Sequence, residues 1–357
     1  MAARWRSGAI RRSTRAFVKL RQYIVLQSGT DEQIAELRKL LDKISASAPR
    51  ARYYCQMNPI ETLRAKIAAP RAPLIMGVVN TTPDSFYPES RVRGIDEALL
   101  RARQLWEAGA DIIDIGGEST RPGAAPVSPE EECRRVLPVI EACRERIPLP
   151  ISIDTRNPLT AERALAAGAA IINDITALAD PAMRRLAAGT SAFVILMHMQ
   201  GTPETMQDAP RYASVVDEVE TFLRARALDA LAAGIERDKI WLDPGIGFGK
   251  TTGDNLALIA AIPRLAALGY PVLAGFSRKS FIAEVLACVP ADGGAGMRQD
   301  TRSAATAGRA VSDSDKLLAT CLYNYAALEH GARILRVHDA RETAITVRVW
   351  RSLLFYP

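Results

Sequence analysis

Eight short apolar runs in this chain end on residues that can do chemistry. The runs are LIMGVVN (74–80), DIIDIG (111–116), PISID (150–154), AIIND (170–174), FVILMH (193–198), KIWLD (239–243), PVLAGF (271–276) and RILRVH (333–338). Asn80 closes the first, Asp114 followed by GGESTRPG the second, Asp154 the third, and Asn173 with Asp174 the fourth. His198 closes the fifth and Asp243 the sixth. Ser277-Arg278-Lys279 follows the seventh, and Arg336 and His338 end the eighth. Asp154, Asn173 and Asp243 offer acceptors suited to the N–H edge of a flat amino-pyrimidinone heterocycle, where a buried carboxylate makes strong charge-assisted bonds. Arg121, Lys279, Arg336 and His338 supply positive charge, and the amide oxygen of Asn80 suits Mg²⁺ or a phosphate-bound water. Arg336 can also stack on a heterocycle face. An anionic leaving group on a planar heterocycle fits both halves of this set. The residues alone do not name the molecule.

Other chemistries fail on spacing. PGIGFGKT (244–251) looks like a phosphate-binding loop, but that pattern needs glycine at the position of Pro244. The same stretch reads G-x-G-x-G, with Lys250 where a dinucleotide fingerprint needs its third glycine. Three widely spaced histidines and no C-x-x-C pair give no metal-ligand arithmetic. Read singly, Asp243 before Pro-Gly could merely start a turn. His198 reads as a satisfied rim histidine rather than a ligand, and His330 as a charge partner at a helix C-terminus. The tryptophans read as packing residues. Only the ring of polar strand ends as a whole resists a purely structural explanation.

The elements that must position this ring alternate. Each run is short, rich in β-branched residues and almost continuously apolar, as strands buried on both faces are. Amphipathic helix candidates lie between them at 95–108, 129–145, 158–167, 212–233, 254–267 and 313–330, with a last run at 340–354. Eight strand–helix units over about 280 residues match an α/β fold of the (β/α)8 TIM barrel type, in which all strand ends share one rim. A doubly wound open sheet is the alternative, since strand count does not prove closure. Residues 289–312 read as a surface loop.

Of the 357 residues, 48% are hydrophobic and 24% charged, which excludes a disordered chain, and no uncharged apolar run reaches membrane-spanning length. Five cysteines in no paired pattern point to reduced thiols and a cytoplasmic setting. Residues 1–70 hold 14 basic and 5 acidic residues, against 32 and 35 in the remainder. The net charge of +6 therefore belongs to the N-terminal tail, and nucleic acid is not an expected partner of the main body. Residues 1–30 have seven basic groups and no acid, a composition like an organellar transit peptide, although a basic helix beside the main domain explains it more economically. Residues 31–44 show helical spacing, and 45–73 read as an Ala/Pro/Ser-rich linker. The expected division is a basic, helical N-terminal extension with linker at 1–73 and the barrel at 74–357.

The chain resembles the dihydropteroate synthase family over 74–352. The matching strings are MGVVNTTPDSF (76–86), DIIDIGGESTRPG (111–123), ISIDT (151–155), IIND (171–174), LMHMQGTP (196–203), DPGIGFGK (243–250), GFSRKSF (275–281) and RVHD (336–339). The resemblance implies a transferase of folate biosynthesis that condenses 6-hydroxymethyl-7,8-dihydropterin diphosphate with p-aminobenzoate, releasing pyrophosphate. By the same resemblance Asp154, Asn173, Asp243, Lys279 and Arg336 hold the pterin. Asn80, Arg121, Arg336 and His338 hold the diphosphate, with Mg²⁺ at Asn80. Phe86, Thr120, Arg121, Pro122, Phe248, Lys279 and Ser280 form the p-aminobenzoate site. Asp154, Lys279, Arg121, Arg336 and His338 are the residues implied to carry catalysis. A homodimer and sulfonamide sensitivity are implied too. The first loop departs from the family's usual S-D-G-G after Ser-Phe, reading Tyr87-Pro88-Glu89-Ser90. Two rival readings share the pterin carboxylates: a non-catalytic pterin-binding paralogue, and a methyltetrahydrofolate-dependent corrinoid methyltransferase. The latter has no use for STRPG, SRKS and RVHD.

Overall fold

The eight apolar runs form eight parallel strands, each feeding a helix that returns along the outside. In this computed structural model the described residues are 59–69, 72–81, 91–119, 123–288 and 311–354. The strands are β1 (Leu74–Asn80), β2 (Ile112–Gly116), β3 (Ile151–Asp154), β4 (Ile171–Asp174), β5 (Phe193–Met197), β6 (Ile240–Asp243), β7 (Leu273–Ala274) and β8 (Ile334–Val337). The helices are α1 (Pro59–Ala68), α2 (Arg91–Ala108), α3 (Pro129–Arg146), α4 (Pro158–Ala167), α5 (Pro181–Ala188), α6 (Val215–Ala232), α7 (Thr252–Ala260), α8 (Ile262–Ala266), α9 (Ser280–Cys288), α10 (Asp313–Glu329) and α11 (Ala340–Leu354).

Ladders run in the order β6-β5-β4-β3-β2-β1-β8-β7. A parallel bridge between Leu242 and Val272, with the Leu242 N–H donating to the Pro271 carbonyl at 2.9 Å, joins the two ends. This closure decides for the TIM barrel over the open sheet. The expected 254–267 helix is two helices, α7 and α8, with Pro263 in the first turn of the second, where its missing N–H costs nothing. Helix α5 was not among the expected elements. It is short, starts at Pro181, and is capped by Asp180 accepting from the Ala182 N–H at 2.7 Å.

Strand alternation separates two cores. Residues on one face of each strand, such as Ile75, Ile113, Ile153, Val194 and Leu335, pack outward against the helices. Leu74, Met76, Ile112, Ile171, Phe193, Ile195, Trp241, Leu273 and Ile334 fill the barrel interior, with the Phe193 and Trp241 rings 5.4 Å apart. These inward residues form the floor on which the polar strand ends stand.

The floor also has a plug: residues 59–68, within the stretch 45–73 expected to be a linker, form helix α1, while 45–58 lie outside the described residues. Helix α1 sets Leu63, 1% exposed, into the interior cluster, with Ile67 packed beside it. Lys66 pairs with the buried Asp111, whose second oxygen accepts the Ile75 N–H at 2.9 Å. Arg333 donates to the carbonyls of Ile67 and Ala69 at 2.9 and 2.7 Å, satisfying the end of α1. One fully buried side chain among those described in α1 is too faint a pattern to read from sequence. Leu63→Ala should therefore cost about 2–5 kcal/mol, measured as a lower midpoint in denaturant. Deleting residues 1–70, which a linker would tolerate, should lower Tm by a comparable amount. An unchanged Tm for both would remove α1 from the domain. The helix expected at 31–44, and most of the 289–312 loop, lie outside the described residues.

Candidate active site

The inward face of the strands turns polar at its C-terminal end, and the charges there are paired in a specific way. Arg336 on β8 sends Nε to Asp114 Oδ2 at 2.7 Å and Nη2 to Asp154 Oδ2 at 2.5 Å. Asn173 Nδ2 also donates to Asp114 Oδ2, at 3.3 Å. Backbone register sets this up: Asp114 lies opposite Ser152, Gly116 opposite Asp154, and Asp154 opposite Asn173. A Cβ at Gly116 would stand 3.5 Å from that of Asp154. Burial lowers the Arg336 guanidinium, but Asp114, Asp154 and Asp243 outweigh it and hold it above its ordinary value. Burial raises the Asp154 carboxyl; Arg336 pulls it down and Asp114 pushes it up, leaving it near pKa about 7.

The opposite wall comes from β6, β7 and their loops. Asp243 Oδ1 accepts the Gly245 N–H at 2.7 Å. Burial raises its pKa, opposed chiefly by Lys279. Lys279 donates from Nζ to the Ile246 carbonyl and lies 4.8 Å from the centroid of the Phe248 ring. Burial lowers its pKa to about 8, with Asp243 raising it and Arg336 lowering it. Gly247, at φ +80°, is needed here, because a Cβ would sit 2.9 Å from Lys279 Cδ. His338 meets Ser277 Oγ through both Nδ1, at 3.1 Å, and its backbone N–H, at 3.2 Å.

Between these walls opens a cleft lined by Val78, Asp154, Asn173, Ile175, Met197, Asp243, Phe248, Gly275, Ser277, Lys279, Arg336 and His338. It has apolar faces for a flat ring and an acceptor paired with a cation on each wall, Asp154 with Arg336 and Asp243 with Lys279. Seven of the expected residues (Asp154, Asn173, Asp243, Phe248, Lys279, Arg336 and His338) meet in it. Asn80 stands exposed at the end of β1 on the same rim, opposite Gly116. Ser280 is exposed in the first turn of α9, next to Lys279. Phe86, Thr120, Arg121, Pro122 and the unusual Tyr87-Pro88-Glu89-Ser90 stretch lie outside the described residues.

Comparison with known proteins decides what this cleft belongs to. The family model described as pterin binding enzyme matches residues 76–338. The chain is 40% identical over 282 residues to the dihydropteroate synthase of Escherichia coli K12, covering 79% of this chain and 92% of that protein. It superposes on the Xanthomonas albilineans dihydropteroate synthase solved with 4-aminobenzoic acid at a TM-score of 0.68 and 41% identity, covering 80% and 94% of the two chains. The Yersinia pestis dihydropteroate synthase with a sulfonamide drug gives 0.69 at 37% identity, covering 79% and 94%. The chain belongs to the dihydropteroate synthase family.

Within this synthase family member, several site residues went unassigned by the sequence reading. Asp114, wholly buried, takes two donors on Oδ2, while Oδ1 has no partner among the described groups. Its place in DIIDIG gave a signal: counting by twos from Ile112 puts it on the inward face. Val78 and Met197 follow from the same count. Ile175 sits beyond the strand end, where parity fails. The neighbours Asn173 and Asp174 point to opposite faces. Asp174 accepts the Thr176 and Leu178 N–H groups at 2.7 and 2.9 Å and so shapes its loop rather than the cleft.

The described residues on either side of 120–122 each have a partner. Glu118 forms a fork with Arg156 at 2.9 and 3.2 Å, and the Gly123 N–H reaches the Pro203 carbonyl at 3.1 Å. Glu132 is buried beneath, accepting from Thr155, Asn157 and Thr160 at 2.9, 2.8 and 2.7 Å. A Cβ at Gly117 would meet Glu132 Cγ at 2.9 Å, so the loop root rests directly on that carboxylate's stem.

No three His, Cys, Asp or Glu among the described residues form a metal cage. The donor at hand is the Asn80 amide oxygen. One neutral oxygen fits Mg²⁺, which keeps several waters and takes its other ligands from substrate phosphates.

Proposed function

We propose that this transferase performs the synthase reaction in the rim cleft: 6-hydroxymethyl-7,8-dihydropterin diphosphate and p-aminobenzoate become 7,8-dihydropteroate and pyrophosphate. The observation carrying the assignment is the pairing of inward acceptors with half-buried cations in one cleft. Asp154, Asn173 and Asp243 face the pterin N–H edge. Arg336, held flat by Asp114 and Asp154, covers the ring, and Lys279 binds beside Asp243. Asn80, Arg121, Arg336 and His338 take the diphosphate; Asn80 would hold Mg²⁺, which when bound neutralises the leaving pyrophosphate.

Carbon–oxygen cleavage then precedes attack. The electron-rich dihydropterin stabilises the cationic methylene, and the preorganised cations stabilise the departing anion, the main catalytic contribution here. The arylamine of p-aminobenzoate is already neutral and nucleophilic, so no strong base is required. Phe248, Lys279 and Ser280, with Phe86, Thr120, Arg121 and Pro122, place it against the methylene and exclude water. A sulfonamide would occupy the same place.

The reading extends to a homodimer and to a cytoplasmic setting, supported by the free thiols of Cys133, Cys143 and Cys321. Among the described residues no helix is long and apolar enough to cross a membrane. The barrel domain would begin at α1 rather than at residue 74, the preceding residues forming the basic extension.

The test is pyrophosphate release by the purified chain with Mg²⁺ and the pterin diphosphate. Release should require p-aminobenzoate and stop with a sulfonamide. Tight pterin binding without release would favour the non-catalytic paralogue.

A further inference from the structure

Behind the cleft, Lys250 is 3% exposed and bonded to three acceptors, none of them a carboxylate. Its Nζ lies 3.0 Å from His198 Nδ1, 3.2 Å from the His198 carbonyl and 2.9 Å from the Phe248 carbonyl. In its ammonium form Lys250 uses all three N–H groups here, with His198 accepting at Nδ1 and holding its proton on Nε2; burial lowers the Lys250 pKa to about 7, opposed chiefly by Asp243. Burial, followed by Lys250, pushes the His198 pKa down to about 3, consistent with a neutral ring. The imidazole is further held edge-on to Phe222, with ring centroids 4.9 Å apart.

A buried lysine that touches no carboxylate among the described residues is an expensive way to fill space, even with Asp243 acting on it from farther off; an aliphatic side chain would do so at less cost. What the lysine does is join two loops. The loop after β6 is pressed onto the loop after β5 so closely that a Cβ at Gly245 would lie 1.9 Å from the His198 carbonyl, and one at Gly249 2.5 Å from the Gln200 carbonyl. That β6 loop presents the Phe248 ring and the Ile246 carbonyl to Lys279. Phe248 is thus gripped from two sides, its carbonyl by Lys250 and its ring by Lys279.

We propose that Lys250 is a positioning residue for the p-aminobenzoate side of the cleft, fixing the β6 loop through His198 so that Phe248 and the Ile246 carbonyl hold Lys279 in place. It touches no substrate. The consequence rests on the synthase reading above; the loop-fixing part does not.

Two measurements separate them. Lys250→Met should speed amide hydrogen exchange across 244–249 by at least about tenfold, with little change in the β1 and β2 amides. This holds whether or not the chain turns over. In steady-state kinetics Lys250→Met should raise KM for p-aminobenzoate at least about tenfold, leaving kcat and the pterin KM within about threefold. His198→Phe, which leaves one Lys250 N–H without an acceptor, should raise the same KM. His198→Asn, which offers an amide oxygen near the Nδ1 position, should largely restore it. If Lys250→Met fails to fold, the two His198 variants carry the test. Unchanged exchange at 244–249 would overturn the loop-fixing role. An unchanged p-aminobenzoate KM, or an equal loss in kcat and both KM values, would overturn the positioning role. A wild-type chain that exchanges as expected but releases no pyrophosphate would count against the synthase reading instead.

Discussion

Arg336→Ala should reduce kcat/KM for the pterin diphosphate at least about 100-fold, on the order of 2.7 kcal/mol, and should also destabilise the fold. Both effects follow from the same two bonds. Arg336 bridges Asp114 and Asp154 at 2.7 and 2.5 Å, and Asp114 is wholly buried. Removing one partner of a buried ion pair strands the other, typically at a cost of about 3–5 kcal/mol. Arg336→Lys should recover little, since a single ammonium cannot span two carboxylates as a planar fork does. Adding Asp114→Asn to Arg336→Ala should return part of the stability but none of the activity, because it relieves the stranded charge without replacing the ring cover. Denaturant midpoints and initial rates, taken below the variant's Tm, separate the two. A loss in kcat/KM smaller than about tenfold would contradict the role given to Arg336.

The second large effect is a pH dependence set by Lys279. Burial lowers its pKa to about 8 in the substrate-free chain. If the ammonium is what binds the pterin beside Asp243, kcat/KM must fall as the pH rises through about 8. Lys279→Met should lower kcat/KM at least about 30-fold, roughly 2 kcal/mol, and remove this basic limb. Stability should move the opposite way. In the unfolded chain the lysine titrates near its ordinary value of about 10.4, so between about 8 and about 10.4 the unfolded state binds more protons. This group's contribution to unfolding free energy therefore rises with pH across that window. It is fully unfavourable below the folded pKa and is relieved by the time the unfolded pKa is passed. Activity and this share of stability crossing in opposite directions above pH 8 is a signature that general unfolding cannot imitate. A flat kcat/KM profile from pH 7 to 10 would contradict the assignment.

Much of this was legible in the sequence because a parallel barrel places every strand end on one rim, and a two-residue period says which side chains face in. Asp154, Asn173, Asp243, Arg336 and His338 could be read that way, and they meet in one cleft. Closure could not, since it rests on the Leu242–Val272 bridge between two short strands. Burial depth was equally hidden. Asp114 was visible as a strand-end carboxylate, but not as the partner that fixes Arg336. Lys250 stood out only as the residue that spoils a dinucleotide fingerprint; that its bonded acceptors are His198 and two carbonyls is a fact of packing. His198 was read as a satisfied rim histidine, and its satisfaction comes from Lys250, 52 residues away. Helix α1 escaped because its role depends on Leu63 finding an interior built from eight distant strands. Where function needs chemistry at a strand end, local pattern carries the message. Where it needs one buried group to hold another, only the assembled barrel does.

The central claim is that acceptors and cations from separate strands around the barrel form one site with a defined orientation. A crystal structure of the wild-type chain with Mg²⁺ and the dihydropterin diphosphate, or a non-hydrolysable analogue, tests it most directly. The expected density has the ring between Arg336 and the apolar wall of Val78 and Met197, its N–H edge on Asp154, Asn173 and Asp243, and its diphosphate running toward Asn80 and His338. A ring bound outside this cleft, or inside it with the diphosphate against Asp154 and Asp243, would contradict the account.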